Sequence, residues 1–477
     1  MIDKVQLLDR TVDTIRQSIV NKNVPLEKSD GFKSYPEAVR QISYVKQEEL
    51  EPTIHGVNYY DYDGTLLYVY SVSEFLALSS HPEQRTHQGL VADGWNWELT
   101  DAQDFIENTC DCLNIGAHYI TDTGDTRVYF TIPEDMDGEL GQRGVYYRQN
   151  KAKGLTIDWG DGTVEESNNK VNWDTQIYHT YVHSGKYVLK ITPQEDCIYT
   201  LGNSVSYTGI FGYYYTSQRP MAEMINKVEI GRNVSFQYGN PFRWTANIET
   251  VTIPKTIHST TMLGYFFVSC TNLKCIVIPE GIQNLGGNYF GIDMFRGKII
   301  CFPKSVTHFN GSSVCLYCDS VILPSSLTTL SGTPLRYGKA TRRIFIPDGV
   351  SSLPQYAIAD LPNLEELHLP NNPEFTTLTA YLLANTGLRH LEIPESIASM
   401  GNQCCFGMCL EEVIMRPTVP PSAATINIFD SRNVYLKIYV PYSLDHSILD
   451  AYKTATNWTQ YASKIYELDE NGNIPND

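Results

Sequence analysis

The chain has 477 residues, more than one hydrophobic core normally supports, and its 42% hydrophobic and 19% charged residues indicate several folded domains rather than a disordered polymer. The formal net charge of −18 argues against nucleic-acid binding, because neutralising phosphates requires a basic surface. No apolar run approaches the roughly 18 residues that a membrane-spanning helix needs, and the N-terminus lacks the apolar block of a signal peptide, so neither is expected.

Residues 1–50 are predicted to form two helices, the second beginning near Pro36. The first carries apolar residues at spacings of 3, 4, 3 and 4, the seam of a short coiled coil, at Val5, Leu8, Val12, Ile15 and Ile19. A helix, a polar linker and a second short helix in this order resemble the N-terminal attachment segments of tailed-phage tail, baseplate and fibre proteins. The resemblance implies a homo-oligomer that contacts other virion proteins through these helices.

Residues 51–113 are predicted to form a small α/β module. A hairpin turn at Asp63–Gly64 is followed by a short helix near residues 72–78, a turn at Gly94 and a second helix. The first half is similar to the β-grasp-like repeats of bacterial surface proteins, although the helices depart from that pattern.

Residues 114–200 are predicted to form a β-sandwich. The segments LTIDWGDGTVEE and YHTYVHSGKYVLKI read as paired strands, with a tight turn at Asp161–Gly162. The combination resembles a polycystic-kidney-disease (PKD) type immunoglobulin-like domain at Trp159, Gly160, Asp161, Gly162, His179, Tyr181, Gly185 and Tyr187. The resemblance implies a spacer or a sugar-facing module.

Residues 201–466 contain an internal repeat that is marked by proline. Spacings of 21 to 25 residues separate Pro254, Pro279, Pro303, Pro324, Pro347, Pro370, Pro394, Pro417 and Pro441. The residue three positions before each proline is aliphatic in all nine cases. Because a short unit cannot bury its own apolar face, the repeat predicts stacked coils with a parallel β-ladder, in which each proline ends a strand.

The repeat resembles the BspA-type leucine-rich repeat, most fully at Phe267, Cys270, Leu273, Ile276, Ile278 and Pro279. Phe406, Cys409, Val413 and Ile414 follow the same pattern less fully. The end of the chain resembles that family's C-terminal cap, with a helix around residues 447–454 whose Tyr452 and Trp458 would cover the last coil. Residues 467–477 are predicted to form an acidic tail. The expected fold is therefore multidomain and mainly β.

One face of the predicted ladder is more apolar than a solvent-washed surface should be. The outward residues, two before each proline, are apolar or aromatic in six of nine repeats. We expect another copy of the chain, the preceding domains or a partner to cover this face. The candidate interaction residues are Val277, Ile322, Phe345, Met415 and Tyr439.

Tyr213, Tyr214 and Tyr215 form a second candidate interaction surface, because tyrosine is enriched at interfaces. The alternative is that these rings simply cover neighbouring coils.

No catalytic, cofactor or metal site is predicted. His179 and His183 lie in a strand-rich stretch, Cys315 and Cys318 lack a second pair, and the other cysteines, including Cys270 and Cys409, are expected to be packed, reduced thiols. The chain shows no nucleophile elbow, phosphate-binding glycine loop or metalloprotease helix. We therefore expect a protein that is not an enzyme.

The favoured function is that of a bacteriophage virion structural protein, a fibre or baseplate-associated appendage assembled in the host cytoplasm. It would display the solenoid for attachment to a bacterial surface protein or glycan. The alternative is a bacterial cell-surface adhesin with the same repeats. A carbohydrate-active enzyme with a repeat appendage is the third hypothesis, because paired carboxylates meet only in space.

Overall fold

The structure is a computed structural model that describes residues 50–132, 134, 142–203, 210–211, 224–237, 241–243, 245–262, 266–267, 270–286, 299–312, 317–407, 409–430 and 432–475. Within it, Pro52–Asp477 form one compact unit. The predicted N-terminal helices with their Val5 to Ile19 seam, and Tyr213 to Tyr215, lie outside the described residues. The described residues contain no helix that is long and apolar enough to cross a membrane.

The first part of this unit is an α/β module in which a four-stranded sheet packs against two helices. Its elements are β1 (Gly56–Tyr60), β2 (Leu66–Tyr70), α1 (Val72–Leu76), β3 (Leu90–Trp95), α2 (Leu99–Asn108) and β4 (Cys112–Thr121), with strand order β2-β1-β4-β3. The five-residue helix α1 is held by a capping box between Ser71 and Glu74. Strand β4 is long enough to pair with both β1 and β3, so the module continues past the predicted boundary at residue 113.

The next part is a sandwich of two sheets that share one core. Its strands are β5 (Thr126–Ile132), β6 (Gln142–Gln149), β7 (Leu155–Asp158), β8 (Val164–Glu166), β9 (Thr175–Thr180), β10 (Gly185–Pro193) and β11 (Tyr199–Leu201). The sheet β11-β6-β9 faces the sheet that contains β5, β10, β7 and β8. Gly160 and Gly162 adopt positive φ angles of 80° and 97° in the predicted turn.

The solenoid begins as a continuation of the larger sandwich sheet. Strand β12 (Ile225–Glu229) pairs antiparallel with β5 and parallel with β13 (Thr250–Thr252), so the first coil is joined to the sandwich by backbone hydrogen bonds. The same hydrophobic core runs from the sandwich strands to the C-terminal cap.

Parallel strands ending near the repeat prolines form the first ladder, which confirms the predicted solenoid. After β12 and β13 the strands are β15 (Cys275–Val277), β17 (Ile299–Cys301), β19 (Ser320–Ile322), β21 (Arg343–Phe345), β22 (Glu366–His368), β24 (His390–Ile393), β26 (Glu412–Met415), β28 (Lys437–Val440) and β29 (Ile465–Glu467). Within the ladder the strands are paired in four groups, β12-β13, β15-β17, β19-β21-β22 and β24-β26-β28-β29.

A second parallel ladder, which was not predicted, lies on another side of the coils. It contains β14 (Thr261–Met262), β16 (Asn284–Gly286), β18 (His308–Ser312), β20 (Thr329–Thr333), β23 (Thr377–Leu378), β25 (Ser399–Met400) and β27 (Ser422–Ala423). Each strand except β27, whose Ala423 is only partly buried, buries an apolar side chain in the core between the two ladders, for example Leu285, Phe309 and Leu330.

The C-terminal end is closed by α3 (Ser447–Thr454) and a 3-10 helix (Thr459–Lys464). Tyr452 and Trp458 are fully buried here, and they donate hydrogen bonds of 2.8 Å to the carbonyls of Pro417 and Pro421, respectively. The predicted acidic tail starts inside β29, whose Ile465 pairs with Ile438 of the last coil.

Candidate interaction surfaces on the solenoid

The register of the first ladder separates its inward from its outward side chains. Ile276, Val321 and Ile344 point into the core of the solenoid, whereas Val277, Ile322 and Phe345 belong to different apolar clusters on the outer face. Neighbouring strands align residue for residue, for example Ile344 with Val321 and Phe345 with Ile322. These three residues therefore lie on the outward face that the sequence predicts.

Strand β26 differs from the prediction by one position. Met415 pairs with the inward residue Ile393 and is fully buried in the solenoid core, while Ile414 pairs with the outward residues Glu392 and Tyr439. The inward Val413, which aligns with Leu391, lies four residues before Pro417, whereas Leu391 lies three before Pro394. A slip of one residue exchanges the two faces of a strand. Met415 is thus a core residue rather than an interaction residue.

Cys409 also lies outside the packing position of its repeat. In the best-matching repeat, Cys270 lies six residues before the inward Ile276 and is buried. The residue six before the inward Val413 is Gly407, so Cys409 falls outside the packing position and its side chain is exposed.

The α/β module covers the first half of the outward face, which we call the covered half (Val277, Cys301, Ile322 and Phe345). Ile322 and Phe345 join the hydrophobic core of the module, where the rings of Phe345 and Phe105 have centroids 6.1 Å apart. Val277 and Cys301 pack against Tyr60. In the described structure these side chains contact a preceding part of the same chain and are not exposed to an outside partner.

Strand β4 approaches the covered half closely because it carries a glycine. A Cβ atom on Gly116 would lie 2.5 Å from Cγ2 of Val277 and 3.0 Å from Sγ of Cys301. Any larger side chain would force the module away from the ladder.

Hydrogen bonds and ion pairs surround this apolar contact. Trp97 Nε1 donates to the carbonyl of Phe302 over 2.7 Å, and His118 Nδ1 donates to the carbonyl of Ile253 over 2.8 Å. Lys255 and Lys304 pair with Glu98 and Asp101 over 2.6 and 2.7 Å. Burial lowers the pKa of His118 to about 4, so the ring is neutral in the folded chain at neutral pH.

Arg343 marks the end of the covered half. Its guanidinium bonds to Asp111 and to the carbonyl of Ile54, and its Nε lies 3.2 Å from Glu366. The ring of His368, on the next strand, stacks on Phe345 at 4.6 Å. Beyond this point the outward side chains are no longer covered by the module.

We call the remaining outward face the open half (His368, Glu392, Ile414, Tyr439 and Tyr466). Glu392 is paired with Arg416 over 2.7 Å, and the rings of Tyr439 and Tyr466 lie 5.9 Å apart. Tyr439, a predicted interaction residue, is outward but only 6% exposed, whereas Tyr466 is 45% exposed. Apart from Ile414, polar, charged and tyrosine side chains thus replace the apolar ones of the covered half.

A groove of 660 Å³ lies along the open half. Its lining includes four acidic residues, Glu392, Glu395, Asp469 and Glu470, together with Arg416 and Tyr442. Arg416 Nη1 donates to the carbonyl of Gly472 over 3.1 Å, which holds the end of the chain against the groove. The net charge of this lining is negative.

The two histidines considered as metal ligands do not form a metal site with neighbouring ligands. His179 accepts or donates a 2.7 Å hydrogen bond with Asp161 and stacks on Trp159 at 4.8 Å, a structural role in the sandwich. Across the described part of the chain, no group of three or more histidine, cysteine or acidic residues could hold a metal ion.

Comparison with protein families assigns the repeat. Residues 221–314 and 298–413 match the model of the BspA type leucine rich repeat region, in six copies. This segment of the chain therefore carries BspA-type leucine-rich repeats. A comparison with curated protein sequences finds no match.

The solved structures that are similar to this chain include three bacterial proteins. A leucine-rich repeat protein from Bacteroides ovatus is 20% identical, with a TM-score of 0.42 and coverage of 66% of this chain and 76% of the other. A leucine rich cell surface protein from Faecalibacterium prausnitzii is 16% identical, with a TM-score of 0.27 and coverage of 56% and 87%. The pneumococcal vaccine antigen PcpA is 15% identical, with a TM-score of 0.21 and coverage of 46% and 76%.

Proposed function

We propose that the chain is a bacterial cell-surface repeat protein that binds a partner through the open half, without catalysing a reaction. The proposal rests on the change from apolar, covered side chains to charged, accessible ones along the outward face between Phe345 and His368. On one side the module closes the apolar face, and on the other side a charged groove stays accessible.

The groove is built on rigid elements. Its lining includes residues of the ladder strands β22 and β24, and an ion pair joins Arg416 to Glu392 across neighbouring coils over 2.7 Å. Rigid binding surfaces lose less conformational entropy on association. Because the lining is acidic, the complementary partner is a basic segment of a protein on an opposing cell surface.

Two experiments test the proposal. Protease treatment of intact cells of the source bacterium should release peptides of this chain, which shows display at the surface. Beads coated with the purified chain should adhere to target cells, and the double variant Glu395→Gln/Glu470→Gln should reduce adhesion at least fivefold.

The control is Glu107→Gln/Glu249→Gln, which changes the charge equally at exposed positions outside the groove. Equal adhesion by both double variants would contradict a role for the groove, and protection of the chain in intact cells would contradict surface display.

Catalysis is the competing hypothesis for the same groove, since pairs of carboxylates catalyse glycoside hydrolysis. We expect no release of reducing sugar when the purified chain is incubated with bacterial and host polysaccharides. Turnover that Glu392→Gln abolishes would replace the binding proposal by an enzymatic one.

A virion appendage is the second candidate function, and the coiled-coil spacing from Val5 to Ile19 favours it. In that case the sandwich, read as a PKD-type domain, would act as a spacer between the attachment helices and the solenoid. Mass spectrometry of purified phage particles from the same bacterium decides between the two functions. Peptides of this chain in stoichiometric amounts would favour the virion.

A further inference from the structure

A row of stacked side chains lies in the turns that follow the second ladder. We call it the tyrosine stripe (Arg336, Tyr337, Tyr356 and Tyr381). The guanidinium of Arg336 lies 4.4 Å from the ring centroid of Tyr337 and 4.2 Å from that of Tyr356. The rings of Tyr356 and Tyr381 follow at 4.9 Å and are parallel within 6°. The stripe therefore crosses three successive repeats as one continuous stack.

The three tyrosines adopt backbone conformations that tyrosine normally avoids. Their φ angles are 66°, 61° and 59° at Tyr337, Tyr356 and Tyr381. A left-handed conformation costs a residue with a Cβ about 1–2 kcal/mol, and Asn or Gly would adopt it more easily. Asn385 does so in a comparable turn, with φ of 58°. Closing the coil therefore does not explain why the side chains are tyrosines.

Polar groups beside the stripe are fixed by hydrogen bonds between repeats. Asp360 accepts from Arg336 Nε over 2.9 Å and from Asn385 Nδ2 over 3.0 Å. Asn402 Nδ2 donates to the hydroxyl of Tyr381 over 2.9 Å, and its own carbonyl oxygen accepts from Thr425 over 2.8 Å. The stripe and its polar border are thus held in place before any ligand arrives.

The charge of this surface is balanced, although the chain as a whole carries −18. Arg336 and Asp360 neutralise each other, and the remaining groups are phenols and amides. Sugars combine an apolar C–H face with a rim of hydroxyl groups, which suits amphipathic tyrosine rings bordered by paired donors and acceptors. A strongly acidic or basic ligand would gain nothing from the balanced pair.

We propose that the tyrosine stripe is a binding site for an uncharged polysaccharide, which lies across the repeats and contacts the exposed parts of the rings. Tyr337, which is 45% exposed, offers the largest free ring surface in the stripe. The site shares no residue with the groove of the open half, so it stands or falls independently of the function proposed above.

The test uses the full chain and immobilised polysaccharides, with dextran, mannan and laminarin as uncharged probes and hyaluronan and heparin as acidic ones. The variant Tyr356→Asn/Tyr381→Asn removes both rings. Because asparagine tolerates the left-handed conformation, this variant should fold at least as well as the parent. We expect binding to at least one uncharged probe and a loss of at least tenfold in this variant. The control, Tyr435→Asn, removes a tyrosine that is 76% exposed elsewhere on the solenoid.

A second variant, Arg336→Lys, replaces the planar guanidinium that stacks between two rings. We expect it to weaken binding of the same probe at least threefold while the melting temperature stays within a few degrees of the parent. Binding to acidic probes alone, no binding to any uncharged probe, or full binding by the Tyr356→Asn/Tyr381→Asn variant would each overturn the proposal.

Discussion

His118 shows how a single buried side chain couples the α/β module to the solenoid. The residue belongs to β4 of the module, is completely buried, and donates its Nδ1 proton to a carbonyl of the solenoid at Ile253. Its pKa falls to about 4 because burial penalises the charged ring, and nearby Lys255 acts in the same direction. In the unfolded chain this histidine has an ordinary pKa near 6.5. Between pH 6.5 and 4 it therefore binds a proton in the unfolded chain but not in the folded one.

The folded state should therefore lose stability as the pH falls from 6.5 to 4. At about 1.4 kcal/mol for each pH unit between the two pKa values, the loss from this residue reaches about 3 kcal/mol. Urea unfolding at pH 7.5 and pH 4.5 measures it for the parent and for His118→Asn. The asparagine variant should be less stable at pH 7.5 but lose less stability on acidification. Equal losses in both proteins would show that His118 does not titrate in this range.

Gly116 of β4 packs against the covered half at a point that leaves no room for a Cβ atom. Gly116→Ala places a methyl group 2.5 Å from Val277, so we expect a loss of about 1–3 kcal/mol from overpacking. Gly407→Ala is the matched control, because its Cβ would meet only the carbonyl of Thr386 at an ordinary 3.6 Å. Urea unfolding compares the two. A smaller loss at Gly116 than at Gly407 would mean that the module does not press on the ladder.

The alternation of side chains along a strand predicts which face a residue occupies only when the register of the strand is known. The proline count places Val277, Ile322 and Phe345 on the outer face, as the structure does, because in those repeats the proline follows the strand at a constant distance. In β26 the proline lies one residue further from the inward residue that aligns across the ladder, and Met415 moves into the core. The sequence marks this slip only through Arg416, because the residue immediately before the proline is apolar in the eight other repeats.

At the scale of elements, the first ladder could be predicted because its strands carry aliphatic residues and end near a repeated proline. The cap could be predicted because the segment around its helix carries aromatic residues that can cover the last coil. The second ladder was missed because its strands have two to five residues and mix small, polar and apolar side chains, as in Asn284–Gly286. Their pairing comes from the stacking of coils rather than from local preference. The boundary of the module was placed too early for a similar reason, because β4 is stabilised by partners on both sides.

The cap should contribute strongly to the stability of the last coils. Trp458 is fully buried, packs at 5.1 Å against Tyr452 and donates to the carbonyl of Pro421. Trp458→Ala should cost about 3–5 kcal/mol, since it leaves a large cavity and an unpaired carbonyl. Hydrogen exchange should show the largest loss of protection in β28 and β29. Trp173→Ala, at a side chain that is 71% exposed in the sandwich, serves as the control. Equal exchange in both variants would contradict the role of the cap.

At the scale of the whole molecule, the outward apolar face of the ladder is the feature that organises the chain. Its composition predicts that something must cover it, but the identity of the cover depends on the shape of the module surface, including Gly116 and Phe105, which no pattern in the sequence reveals. In the described structure, residues 52–121 of the same chain cover one half of the face, and the other half remains a charged groove. Closing one half of the face from within the chain leaves only the open half for the partner that we propose.

Thiol labelling of the native full chain, read by peptide mass spectrometry, tests this central claim most directly. Cys275 and Cys301 lie under the module and are buried, and the neighbouring Cys301 thiol together with burial raises the pKa of Cys275. Cys409 is exposed and reports the rate of unhindered modification. Phe345→Glu introduces a charge into the contact and should open it, while Cys270 in the solenoid core reports whether the coils themselves stay folded.

We expect iodoacetamide at pH 8 to modify Cys409 at least a hundredfold faster than Cys275 and Cys301 in the parent chain. In Phe345→Glu, the modification of Cys275 and Cys301 should accelerate while Cys270 stays protected. If Cys275 and Cys301 in the parent chain react as fast as Cys409, the module does not cover the ladder and the account is wrong.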